Sequence, residues 1–381
     1  MKILFVIPTL SCGGAEVLTC GLALELAERG HKVKILCHLP LHASHSMIPD
    51  RKKLEDSVEV VVCKDTVDFH FLRPTVVYVP TLRKILDEFG PDVVHSNLFF
   101  SELYSRSLIH PNATYITHVH DNMFQLKAIS WKTFLSKKLL VSAWERFWIL
   151  KKYKASRTRF LAISPDVRTF LHENLPLSLH NITYIPNAIN LKRFAGKKSS
   201  FMADGILNII SVGSLVKKKN HALLISLSSL LKEQRIPHRI DVYGEGPLRA
   251  QLEEEVAKQS LENSIFFHGN SGEIPQKMHA SDLYIHPATY EPFGLVLLEA
   301  MASGLPVISL DGYGNRELIR EGYNGFLLPN DATAHEIKNK IDWFLEEPTR
   351  FVEIAENGLG FCLDYSMQVY ANKLIDLYRR A

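Results

Sequence analysis

Cysteine is scarce in this chain of 381 residues: Cys12, Cys20, Cys37, Cys63 and Cys362 are five in number, and no two lie two or three positions apart. That spacing excludes a zinc or redox pair and points to buried thiols in a reducing compartment. Long apolar runs are missing as well, since none approaches the ~20 residues that span a bilayer. Residues 3–10 after Lys2 have the length of a secretory core. Pro8 and the polar Ser11-Cys12-Gly13-Gly14 offer no small-x-small cleavage pattern, so a buried first strand and a cytoplasmic location are expected. The sequons at Asn112 and Asn181 then carry no weight. Excess charge of one sign is lacking: 44 Lys and Arg against 41 Asp and Glu give +3, which calls for no nucleic-acid partner. A Gly-x-Gly-x-x-Gly fingerprint is absent too, which speaks against a nicotinamide-dependent oxidoreductase.

The remainder, 46% hydrophobic and 22% charged, is ordinary globular composition, and the length suits two domains with separate cores. Apolar strands alternate with helical patterns from the first residue, the mark of parallel α/β sheets covered on both faces. Strands are expected over 2–7, 33–37, 58–63, 93–95, 114–118 and 159–163, with a helix over 16–29 that Gly30 ends. A polar stretch, Ala195-Gly196-Lys197-Lys198-Ser199-Ser200, reads as a linker. A second strand series follows over 206–212, 239–243, 265–268, 283–286 and 306–309. The expected organisation is therefore an α/β chain of two doubly wound Rossmann-like domains, 1–194 and 207–362, joined by a linker over 195–206 and facing across a cleft. A terminal helical segment over 363–381, with Met367, Tyr370, Leu374 and Tyr378 at helical spacing, is expected to cross back to the first domain.

Three strand ends of the second half carry chemistry. In Glu291-Pro292-Phe293-Gly294-Leu295-Val296-Leu297-Leu298-Glu299-Ala300, Pro292 and Gly294 suit a loop entering a helix. The amides of Gly294, Leu295 and Val296 then face outward as an anion site apt for phosphate. Glu291 would lie on the loop and Glu299 about two turns into the helix, where a carboxylate accepts from sugar hydroxyls; a cap and a surface glutamate would look the same. Gly213-Ser214-Leu215-Val216-Lys217-Lys218-Lys219-Asn220 joins a strand to a helix, and its lysines can neutralise a diphosphate. Lys219, next to the helix start, is the favoured one, with Lys217 and Lys218 reading as solvated charge. Gly244 and Gly246 permit close backbone approach to a ligand.

Taken in order, these motifs resemble the retaining family 4 glycosyltransferases of the GT-B fold, which carry a Glu-x7-Glu signature. The resemblance extends over Gly13-Gly14-Ala15-Glu16, Thr117-His118-Val119-His120-Asp121, Ala162-Ile163-Ser164, 185–190 with Phe194, Gly213 to Asn220, Gly244 to Pro247 and Glu291 to Ala300, with Asn315, Glu317 and Asn324-Gly325 fitting the closing section. It implies a nucleotide-sugar donor, a UDP-sugar favoured over a GDP-sugar, and no further cofactor. Glu299 would hold the ribose and Glu291 the donor sugar. The amides of Phe293, Gly294 and Leu295 would contact sugar and phosphate, and Lys219 would neutralise the diphosphate. Gly213, Ser214, Gly244 and Val296 complete the donor-binding set. Gly13 and Gly14 would approach the donor closely, and His120 would face the reacting sugar, with His118 left as structural. Two departures stand out: Ser214 replaces the usual Arg, with Lys217 or Lys218 as substitutes, and Ala188 and Asn190 replace the usual Gly and Asp.

No two aspartates lie two apart, so leaving-group stabilisation without a metal is expected, with gating by domain closure; the family resemblance implies retention by same-face attack. Through Phe194 there are 25 basic and 17 acidic residues, a net +8, against 19 and 24 afterwards, a net −5. Residues 127–159 hold ten basic residues and one acid, Glu145, together with Trp131, Trp144 and Trp148. This segment reads either as a docking surface for an anionic membrane or as a solvated helix pair with its aromatics turned inward. A glycan or lipid-linked acceptor of cell-surface polysaccharide or lipopolysaccharide synthesis is the expected class. A nucleotide-sugar epimerase of the same architecture and a non-catalytic sugar-binding scaffold are the rival readings.

Overall fold

The computed structural model describes residues 1–11, 13–40, 48–68, 76–128, 137–196 and 200–380. It divides into two compact units, one of Met1–Asn187 with Met367–Ala381 and the other of Ala188–Ser366.

In the first unit the strands are β1 (Lys2–Ile7), β2 (Lys32–Cys37), β3 (Glu59–Val62), β4 (Thr66–Asp68), β5 (Val76–Tyr78), β6 (Val93–Asn97), β7 (Thr114–Val119), β8 (Arg159–Ala162) and β9 (Ile182–Tyr184). Seven of them form one sheet in the order β3-β2-β1-β6-β7-β8-β9, and every pairing in it is parallel. Residues 3–7 of β1 are fully buried, as an inner parallel strand requires with helices on both faces. The helix Gly14–Glu28 buries Leu18, Leu22 and Leu26. The short strands β4 and β5, an antiparallel pair, and β9 were not anticipated; each has only three residues, none of them buried. The terminal helix Met367–Arg379 belongs to this unit, burying Tyr370, Leu374 and Tyr378, with the Tyr378 hydroxyl 2.6 Å from His95 Nδ1.

The second unit has β10 (Leu207–Val212), β11 (His238–Tyr243), β12 (Ile265–Gly269), β13 (Leu283–His286), β14 (Val307–Leu310) and β15 (Gly325–Leu328). They form a parallel sheet in the order β12-β11-β10-β13-β14-β15. Leu207, Ile240, Leu283, Phe344 and Phe351 are among the buried residues of its core. A capping box of Thr333 and Glu336 starts the helix Ala334–Glu346.

The division between the units falls before the expected one, at Asn187 rather than Phe194. Arg193 donates to Gly272 O at 3.1 Å, His279 Nε2 lies 3.0 Å from Phe194 O, and the Gly196 amide donates to Ala302 O at 3.2 Å. These bonds make residues 191–196 part of the second unit. Residues 197–199 of the expected linker lie outside the described residues.

In each sheet the strand order reverses once, between β1 and β6 and between β10 and β13. Ligands of open α/β sheets bind beyond the carboxyl ends of the strands at such a switch.

Candidate active site

In the second unit the switch brings together the loops that follow β10 and β13, 72 residues apart in sequence at their closest bond. Lys219 Nζ lies 2.5 Å from Glu291 Oε2, with side chains 16% and 12% exposed. His286, the last residue of β13, places Nε2 3.0 Å from the same oxygen. Behind it, the Tyr284 hydroxyl lies 3.2 Å from His286 Nδ1 and 3.2 Å from Val212 O. Lys217 and Lys218 are exposed while Lys219 turns inward, and the Lys218 ammonium stands 5.2 Å from the centre of the Tyr290 ring. Ser214 is exposed.

The surrounding backbone is tied down. The Thr289 amide donates to Lys218 O at 2.9 Å and the Glu291 amide to Gly312 O at 2.9 Å. Buried Asn315 donates to Ser309 Oγ and Leu310 O and accepts from the Gly312 amide. At Gly244, φ is +139° and an added Cβ would lie 2.1 Å from Gly213 O, so only glycine lets the β11 end sit against the β10 loop. Gly294, at φ +98°, caps the helix Leu295–Ala302. The amides of Gly294, Leu295 and Val296 precede any acceptor within the helix. Glu299 is the fifth residue of that helix, a little over one turn in rather than two, because the helix begins only at Leu295.

The two glutamates differ electrostatically. Burial alone raises the Glu291 carboxyl, but the Lys219 charge and the His286 hydrogen bond outweigh it and hold the group well below the usual carboxylate range. Burial lowers His286 below its ordinary value, against the pull of Glu291. Glu299 has no such partner: burial pushes it up to about 7, opposed by the charge of Arg193. The pair thus offers one fixed anion and one carboxyl poised near neutrality. His221, lowered to about 4 by burial and then by His286 and Lys219, is a further polar group behind the site. His286, Tyr284 and His221 were not anticipated as site residues. The available signal was a histidine ending an apolar strand five residues before Glu291.

At the switch of the first unit, His120 Nε2 lies 2.8 Å from Asn97 Oδ1, and its ring stands 3.9 Å from that of His118. His118 Nε2 lies 3.4 Å from the Tyr370 hydroxyl. Burial lowers His120 to about 3, so its imidazole is neutral. Gly13 caps the helix Gly14–Glu28 at the end of the loop after β1; Cys12 lies outside the described residues.

In the basic segment, Trp131 lies outside the described residues. On the helix Lys137–Ala155, Phe147 is 56% exposed beside Trp144 and Trp148, at 6.1 and 5.7 Å between ring centres. Arg146 and Lys152 are half-buried: Arg146 donates to Leu126 O and Asn174 O, and Lys152 to Arg106 O at 2.9 Å. Among the described residues no helix is long and apolar enough to cross a membrane.

Comparison with known proteins adds the following. The family described as Glycosyl transferases group 1 matches residues 197–359, and Glycosyltransferase Family 4 matches residues 12–193. The putative glycosyltransferase EpsF of Bacillus subtilis is 30% identical over 252 residues, 62% of this chain and 62% of its own length. A GDP-mannose-dependent alpha-mannosyltransferase of Corynebacterium glutamicum is 28% identical over 319 residues, 80% of this chain and 71% of its own length. Among solved structures, HepE of Anabaena in complex with UDP and glucose aligns over 100% of both chains with a TM-score of 0.76 at 21% identity.

Proposed function

Because this chain belongs to the family 4 glycosyltransferases of the GT-B fold, we propose that it moves a sugar from a nucleotide diphosphate to a hydroxyl acceptor with retention of configuration. The observation that carries the reading is the Lys219–Glu291 pair at the β10/β13 switch, beside the open amides of the helix Leu295–Ala302. As the bond from the anomeric carbon to the β-phosphate breaks, negative charge grows on the departing diphosphate. Lys219 and the amides of Gly294, Leu295 and Val296 are fixed donors for that charge and need no reorganisation. Glu291, held ionised, accepts from the donor sugar. Glu299 accepts from the ribose hydroxyls. The acceptor hydroxyl attacks on the face the diphosphate leaves and passes its proton to the departing phosphate oxygen, so the protein supplies no nucleophile.

A UDP-sugar is the proposed donor, and the complex in which HepE was solved supports it; the mannosyltransferase relative keeps GDP-mannose in the test. For the acceptor we propose a glycan or lipid-linked intermediate, handled by the first unit with His120. Exposed Phe147, Lys151 and Lys154 of the helix Lys137–Ala155 support peripheral contact with an anionic membrane. Thermal-shift screening of UDP-, GDP- and ADP-sugars selects the donor, since a ligand of the folded state alone raises its stability. Transfer assays with Glu291→Gln and Lys219→Ala then test the site. Retention of near-full turnover by both would refute it, and consumption of donor without acceptor would favour the epimerase.

A further inference from the structure

Glu291 receives two contacts on one oxygen, and this division of its carboxylate leads beyond the donor site described above. Lys219 Nζ and His286 Nε2 both end on Oε2, at 2.5 and 3.0 Å. An ionised carboxylate only accepts, so the ring proton of His286 sits on Nε2. Nδ1 then carries the lone pair, and the one proton of the Tyr284 hydroxyl is divided between it and Val212 O, each 3.2 Å away. The tautomer of His286, 2% exposed, is therefore set by its contact with Glu291, and fully buried Tyr284 adds a shared hydrogen bond behind the ring. The four groups come from three adjacent pieces of one unit: Tyr284 and His286 on β13, Glu291 on the loop after it, and Lys219 after β10.

We propose that His286 is a positioning residue for Glu291, clamping Oε2 together with Lys219 so that Oε1 is the oxygen left to meet the sugar. The proposal rests on the reading of Glu291 and Lys219 as donor-site groups. Two partners on a single oxygen fix the carboxylate plane, whereas Lys219 alone, on a flexible stem, leaves it free to turn. The polar side chain at the end of β13 thereby acts on the reaction without touching substrate.

The test uses the full-length protein and hydrolysis of UDP-glucose, UDP-N-acetylglucosamine or GDP-mannose, whichever the wild type turns over. In that assay water takes the acceptor's place, and the bond from the anomeric carbon to the diphosphate oxygen breaks to release sugar and nucleotide. His286→Leu removes the donor while keeping an apolar body; His286→Gln restores an N–H of similar reach. Loss of a hydrogen bond to a charged group corresponds to a fall in kcat of about ten- to a hundredfold for His286→Leu. KM and the calorimetric Kd of the free nucleoside diphosphate stay near wild type, and His286→Gln recovers most of the rate. Tyr284→Phe, which takes away only the hydroxyl behind the ring, gives a smaller loss in kcat and keeps the proposal testable if His286→Leu does not fold. A folded His286→Leu within twofold of wild-type kcat, or a His286→Gln no better than Leu, overturns the proposal. If Glu291→Gln and Lys219→Ala themselves retain full turnover, the donor-site reading fails first and the proposal falls with it.

Discussion

Lys219→Ala separates what the lysine does for the fold from what it does for the reaction. The Lys219–Glu291 pair is short, 2.5 Å, with side chains 16% and 12% exposed. Deleting one partner of a fully buried pair costs ~3–5 kcal/mol, because the other charge is stranded. Residual solvent access and the remaining His286 bond reduce this to about 2 kcal/mol. At ~2–4 °C per kcal/mol for a domain of this size, the unfolding transition of the second unit falls by roughly 4–8 °C. The wild-type advantage has a definite pH window. The folded Glu291 carboxyl is held well below the usual range, so the pair's contribution is complete above the unfolded-state value of ~4.3 and fades as pH drops below it. Turnover responds separately: removing a fixed cation from the departing diphosphate lowers kcat by ~10²–10³. The double variant Lys219→Met/Glu291→Gln removes both charges at once, so it recovers most of the melting temperature and none of the turnover. Calorimetric melting from pH 3.5 to 8 and steady-state donor hydrolysis read out the two quantities. A Lys219→Ala enzyme within about threefold of wild-type kcat refutes the catalytic part. A double variant no more stable than Lys219→Ala refutes the stranded-charge part.

Three other outcomes follow from the same structure. Glu299, pushed up to about 7, binds its proton more tightly when folded than when unfolded, so it lowers stability progressively as pH rises from ~4.3 to 7. The melting-temperature gain of Glu299→Gln over wild type should therefore grow across that interval and level off above it; a gain independent of pH would contradict the raised value. Gly244→Ala, with its Cβ 2.1 Å from Gly213 O at φ +139°, should cost ~2–3 kcal/mol or more in urea melts and lower turnover by displacing the loop that carries Lys219. In the first unit, Glu102 and Arg106 form a 2.7 Å pair with both side chains fully buried, and burial pushes Glu102 up to about 7. Arg106→Leu should destabilise that unit by ~3–5 kcal/mol, with a larger loss at pH 8, where Glu102 ionises, than at pH 5.5; an equal loss at the two pH values would show that the charge is not what matters.

The parallel strands were legible because burial on both faces demands continuous apolar runs, and those runs end where the loops of the candidate site begin. Glu291 and Lys219 could be singled out for that reason, each lying just past a strand expected to end within a few residues. Their partnership was not legible, since it depends on β10 and β13 being neighbours across the switch, which no local pattern encodes. His286 was hidden by the same physics that places it: at the end of an apolar strand, a histidine has the signature of a core residue, and only the bond to Glu291 distinguishes it. In two places the structure adds what composition does not show. The polar residues 195–200 look like a linker, yet the bonds of Arg193, Phe194 and Gly196 tie their approach to the second unit. The ten basic residues between Lys127 and Arg159 look like surface charge, yet Arg146 and Lys152 spend their donors on backbone carbonyls. Among the described residues, Lys127, Lys151, Lys154 and Arg157 are the exposed basic residues of this segment, with the exposed Phe147. At ~1 kcal/mol per basic residue near an anionic surface, the membrane contact proposed above would be weak, reversible and salt-sensitive if carried by these four charges.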